Sequence, residues 1–214
     1  TEYNCELFIG NQPIRDAASV YFLRKGGAII LGKTVTVTLG GGDPSKSRNP
    51  FDTRRTPGGS SSGSCAAIGS RMIPGALGTH ARGSTIRPAS FCGAYGLKAT
   101  FGALNRQGGF SAAESMDHLG VIAGSIEDMW IVARYISEHA GGDPGHPGMY
   151  GSRTPPPARK PERLIFLEGA GWAETDEASK DAFEGVLRDL EAKGVEIYTR
   201  KDDAAIEAYE QETS

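Results

Sequence analysis

No apolar run in the 214 residues approaches the roughly 20 that a helix needs to cross a bilayer, so a soluble globular chain is expected. Cysteine is scarce: Cys5, Cys65 and Cys92 are odd in number and form no Cys-x-x-Cys pair. That argues against a disulfide framework or a zinc site and fits a reducing compartment, the cytoplasm. Neither sign of charge dominates, because the formal net charge is −3 and both signs are scattered. Without a basic stripe to neutralise phosphates, no nucleic-acid partner is expected. His118, His139 and His146 have no partner at metal-ligand spacing and no His-Glu-x-x-His pattern occurs, so no metal is expected either. A Gly-x-Ser-x-Gly elbow is absent too, although a Ser-His-Asp set stays open because such partners meet only in three dimensions. The chain starts at Thr1 with no signal-like leader, and a helical pattern from Asp203 reaches Ser214 without a cap. Both ends are therefore expected to be cut from a longer protein.

Glycine, by contrast, is abundant at 30 residues and concentrates between Gly40 and Gly109, which reads as mostly loop. Ahead of it, residues 16–25 follow Pro13 and end at Gly26-Gly27, the pattern of a capped helix, with a strand expected over residues 28–31. Ser125 and Asp128 open a helix whose apolar positions, Ile126, Met129, Val132, Ala133 and Ile136, recur at helical spacing up to Gly141. Residues 144–161 are too rich in glycine and proline for a regular element and form a connector. Then come a strand in RLIFL, a helix over residues 176–193 capped by Gly194, and a strand in VEIYT. This βαβ unit, with the alternation upstream, predicts an α/β fold with a largely parallel or mixed sheet.

Gly27 to Thr34 matches the spacing of a phosphate-binding loop, Gly, four residues, then Gly-Lys-Thr. The match is deceptive. Such a loop turns its amides inward and leads into a helix, whereas Ala-Ile-Ile-Leu and the following Val-Thr-Val-Thr are extended sequences.

Residues 57–102 carry the chemistry. GGSSSGS alone would read as a flexible linker, but it runs straight into a small-residue helix beginning at Cys65 and then into a second glycine-serine turn, Gly83-Ser84. Ser60 and Ser84 thus stand in backbone that glycine lets approach closely. Two such serines suit acyl transfer: a hydroxyl loses its proton to attack a carbonyl, and amides in a tight turn stabilise the oxyanion. No histidine is committed as the base.

Together with GAIILGKT, RNPFDTRRTPGG, the GST-IRPASFCG-YGLKAT-G run and SMDHLG, these residues resemble the amidase signature family from about Thr1 to Asp143, and more loosely beyond. The resemblance implies a twisted mixed sheet covered by helices on both sides. Residues 1–143 would form the signature core, and residues 162–214 a βαβ unit of the same domain. It also implies hydrolysis of a small carboxamide through a Ser–cis-Ser–Lys triad, without metal or organic cofactor. By motif position Ser84 is the nucleophile and Ser60 the bridging serine, with a cis bond from Gly59 and their hydroxyls in hydrogen-bond reach. Ala81, Arg82, Gly83 and Ser84 supply the oxyanion amides, and Ser62 is a hydrogen-bonding neighbour. A small amide is the implied partner, and a homodimer is compatible with the family.

Three departures stand out. The family's catalytic lysine belongs upstream of the Gly-Lys-Thr segment and is absent from this chain; Lys33 and Lys46 do not match its position. His80 stands where the family has Asp or Gln, and Arg82 replaces a small residue. The chain alone is therefore expected to be inactive. A catalytically inactive remnant or binding module with this fold is the alternative. The glutaminase component of a tRNA-dependent amidotransferase fits less well, because Arg87 directly precedes Pro88.

Overall fold

The computed structural model describes residues 1–41 and 44–213, so Gly42, Asp43 and the expected helical end at Ser214 lie outside the described residues. It divides into two compact units, residues 1–156 and 157–214.

In the first unit, α1 (Ala18–Lys25) ends at Gly26 as the sequence predicts. The next segment departs from expectation. Residues 28–31 form no strand; Ile29 is 85% and Leu31 75% exposed, and no neighbouring strand among the described residues pairs with them. A strand needs a partner for its backbone groups as well as the right composition. The stretch from Gly40 to Gly109 is also more regular than its glycine content predicts. It holds α2 (Ser62–Gly69), β1 (Gly75–His80), α3 (Ile86–Phe91) and β2 (Tyr95–Lys98).

Next come β3 (His118–Ala123) and α4 (Ile126–Ala140). The Ser125 hydroxyl accepts from the Asp128 amide at 3.0 Å and caps α4, which ends at Gly141 with φ of 71°. The three strands form an antiparallel sheet in the order β1-β3-β2. Successive residues of the central strand face opposite sides. Val121 packs with Ala133 and Ile136 of α4, while Ile122 packs with Cys65 and Ile68 of α2 and Ala89 of α3. Helices thus cover both faces, with α2 and α3 on the side that carries the serines.

The second unit pairs β4 (Arg163–Ile165) in parallel with β5 (Glu196–Tyr198), joined through α5 (Ala170–Ala173) and α6 (Glu177–Ala192), and ends in α7 (Ala204–Thr213). Asp176 caps α6 by accepting from the Ser179 amide at 2.8 Å. The α/β class stands, with antiparallel and parallel pairing divided between two sheets rather than spread over one. Among the described residues no helix is long and apolar enough to cross a membrane.

Candidate active site

Small residues bring two loops together. The first, residues 58–61, enters α2; the second, residues 81–85, joins the end of β1 to α3. Thr85 anchors the second loop. It is fully buried, and its hydroxyl donates to the Thr79 carbonyl at 3.0 Å. The space it fills exists because residue 120 of β3 is glycine, where a Cβ would collide with the Thr85 hydroxyl. Gly83, at φ of 103°, supplies the left-handed turn just before Ser84.

The loops are tied by backbone contacts. The Ser61 amide donates to the Ser84 carbonyl at 3.2 Å, and Arg87 Nη2 of α3 donates to the Gly59 carbonyl at 2.8 Å. On the far side the Ser60 carbonyl accepts from the Val37 amide at 3.1 Å and from the Thr36 hydroxyl at 2.9 Å. The Gly59–Ser60 peptide is cis.

Ser60 is buried and Ser84 half-buried. The segments touch, yet among the described residues no hydrogen bond joins the Ser60 and Ser84 hydroxyls. Ser60 Oγ is turned toward Gly40, 3.9 Å from where a Cβ of that glycine would lie. The direct hydroxyl contact expected from the motif is therefore not made. The links between the two loops run through amides, carbonyls and Arg87, none of which dictates a hydroxyl rotamer. Ser62, expected as a hydrogen-bonding neighbour, donates to the Gly58 carbonyl at 2.8 Å and secures the start of α2. Lys33 and Lys46 are exposed.

In the turn, the Gly83 amide donates to His80 Nε2 at 3.1 Å. Among the described residues the amides of Ala81, Arg82 and Ser84 have no acceptor, and these are the groups a developing oxyanion could engage. His80 itself is 8% exposed. Burial pushes its pKa below the ordinary value, and the charges of His118, Lys98 and Arg87 push the same way. His118 faces His80 as its partner in the β1–β3 register, with His118 Nδ1 3.0 Å from the His80 carbonyl. Beyond His118 lies a cavity of about 550 Å³ lined by Thr79, Arg106, Phe110, Asp117 and His146 among others; neither serine lines it.

A match to the amidase family runs over residues 1–209. The chain belongs to the amidase family. A glutamyl-tRNA(Gln) amidotransferase component of Syntrophobacter fumaroxidans is 41% identical over 133 residues, 59% of this amidase-family chain and 27% of that protein. The solved glutamyl-tRNA(Gln) amidotransferase component from Thermotoga maritima superposes with a TM-score of 0.72 at 26% identity, covering 93% of this chain and 46% of that one. A peptide amidase solved with the competitive inhibitor chymostatin gives a TM-score of 0.69 at 25% identity, over 89% of this chain and 42% of that one. The chain thus spans between about a quarter and a half of the length of these relatives.

Sequence reasoning placed the two serine segments but missed their supports. Thr85 and Arg87 lie in the matched run, yet nothing in their spacing says that one fills a niche at Gly120 or that the other reaches Gly59. The pairing of His80 with His118 was equally hidden, because it needs the register of two strands interrupted by glycine.

Proposed function

We propose that this chain is the serine-bearing part of an enzyme that hydrolyses the C–N bond of a small carboxamide, with Ser84 as nucleophile and Ser60 as bridging serine. The observation that carries the reading is the clasp between the two serine segments, Ser61 to Ser84 and Arg87 to Gly59. It holds the segment of Ser60 against that of Ser84, the arrangement a proton relay between the two serines requires.

In the proposed reaction Ser84 Oγ attacks the amide carbonyl as its proton passes to Ser60, which passes its own to a base. Negative charge builds on the carbonyl oxygen and is received by the amides of Ala81, Arg82 and Ser84, the Gly83 amide being turned to His80. The C–N bond then breaks, the nitrogen takes up the proton and leaves as ammonia or an amine, and water cleaves the ester on Ser84. By the family resemblance the base is a lysine, which must be held neutral although its ordinary pKa is about 10.4. That lysine is not at a matching position in these residues. The chain as given is therefore expected not to turn over amides, and to work, when extended by the lysine-bearing segment, in the cytoplasm on a small molecule.

A second reading, a glutaminase-type component, is favoured by the name shared by the curated relative and the solved Thermotoga protein. The order Ser84-Thr-Ile-Arg-Pro argues for the general amidase instead. A non-catalytic module of the same fold is the outcome if no lysine is ever supplied.

The test measures ammonia release from glutamine and from simple aliphatic and aromatic carboxamides. It compares the chain, an upstream-extended version carrying the lysine, and the Ser84→Ala form of each. Turnover is expected only from the extended chain with Ser84 intact, with the chain as given slower by at least about 10²–10⁴-fold, the usual cost of losing a general base. Glutamine as the sole substrate would favour the glutaminase reading. No turnover by any form would favour the non-catalytic one.

A further inference from the structure

At the end of β1 the His80 ring lies against the turn that carries Ser84. Its Nε2 is 3.1 Å from the Gly83 amide and its Nδ1 is 3.2 Å from the Thr85 amide. One ring therefore faces the amides immediately before and after Ser84, in a place where water has little access.

We propose that His80 is a positioning residue that fixes the turn around Ser84, and that it does so only as a neutral ring. The inference rests on the reading of Ser84 as nucleophile. A neutral imidazole has one acceptor nitrogen and one N–H. With the proton on Nε2 the ring accepts from Thr85; with it on Nδ1 the ring accepts from Gly83. Either tautomer anchors one side of the serine. The imidazolium carries protons on both nitrogens and offers neither amide an acceptor. A buried donor stripped of its partner is costly, so the turn would have to shift.

The surroundings favour the neutral ring. His118 faces it from β3, Lys98 from β2 and Arg87 from α3; all are basic, and burial adds to their effect in lowering the pKa. The unfolded chain takes up this proton near the ordinary value of 6.5, and the folded chain only at lower pH. Between those values the unfolded state holds more protons, so the stabilisation is complete above about pH 6.5 and is lost as pH falls through the folded value. The same protonation would free the turn, so acylation of Ser84 should weaken on the acid side.

The experiment follows ring and backbone ¹⁵N shifts of the chain from about pH 5 to 8, alongside the rate at which a fluorophosphonate labels Ser84 in the version extended to carry the lysine. The expected result is a ring that stays neutral below pH 6.5, with the Gly83 and Thr85 amide shifts moving together when it titrates. His80→Gln, whose carbonyl accepts without titrating, should keep labelling within about threefold and flatten the acid limb. His80→Phe should lower labelling about tenfold or more, with a shifted rather than unfolded chain. Labelling of His80→Phe at the wild-type rate would overturn the proposal. So would a Gln variant as impaired as the Phe variant, or amide shifts indifferent to the ring's titration. If Ser84 takes no label in any variant, the nucleophile reading has failed, and the response of the two amides to the ring's titration alone decides the role of His80.

Discussion

Ser84 stands where it does because Thr85 is locked. The Thr85 hydroxyl fills the niche left by Gly120, and a methyl group there would drive the threonine, and with it the serine turn, outward. Gly120→Ala should therefore cost about 1–3 kcal/mol, the range for overpacking a filled interior. It should also slow fluorophosphonate labelling of Ser84 more than that instability explains. Denaturant melts and labelling rates measured together would show it; an unchanged melt would remove Thr85 as the anchor. Burial also decides the thiols. It pushes Cys65 up to about 12, with Cys92 adding to the shift, and Cys92 up to about 11. At pH 8 both are protonated and enclosed, so a thiol reagent should modify Cys5 alone in the folded chain. Rapid modification of Cys65 or Cys92 without denaturant would contradict the packing of α2 and α3 on β3. At this scale the sequence showed the serines through their glycine setting. It could not show Thr85, Arg87 or the placing of His80, whose partners Gly120, Gly59 and His118 lie 28 to 38 positions away in sequence.

Elements with self-contained signals were legible. The α4 cap at Ser125, the Gly26 end of α1 and the Asp176 start of α6 each use a side chain or glycine within a few residues of the helix they bound. The strands of the second unit were legible too, in RLIFL and VEIYT, but those of the first unit were not. β1 reads GALGTH and β2 reads YGLK, and their glycines erase the alternation that marks a half-buried strand. Those glycines serve packing: Gly78 makes room for Ser61, and Gly96 for Ala89 and Thr85. The opposite error arose at residues 28–31, where an apolar run has strand composition but, among the described residues, no strand beside it. Removal of the Ser125 hydroxyl, as Ser125→Ala, should destabilise the chain by about 1 kcal/mol through the lost cap. Ile122→Ala should cost about 2–5 kcal/mol, because Ile122 is fully buried between the sheet and the two helices that carry the serine segments. Chemical denaturation of the two variants checks both; a smaller loss at Ile122 than at Ser125 would mean that this face of the sheet is not the core it looks to be.

For the whole molecule, the boundary between units falls at residues 156 and 157, inside the expected connector of residues 144–161. Arg153 and Arg159 are exposed there, in a stretch without helix or strand. Limited trypsin treatment should therefore cut first after one of them; a first cut within α4 would contradict the division. Family membership was legible because the matched motifs run through the first unit almost without a break. The central claim is that Ser84 is the residue that becomes acylated, and mass spectrometry after fluorophosphonate treatment of the lysine-bearing extended chain tests it most directly. The account predicts a single adduct on the peptide containing Ser84, lost in Ser84→Ala and retained at a reduced rate in Ser60→Ala; an adduct on Ser60 or Ser62 instead would contradict it.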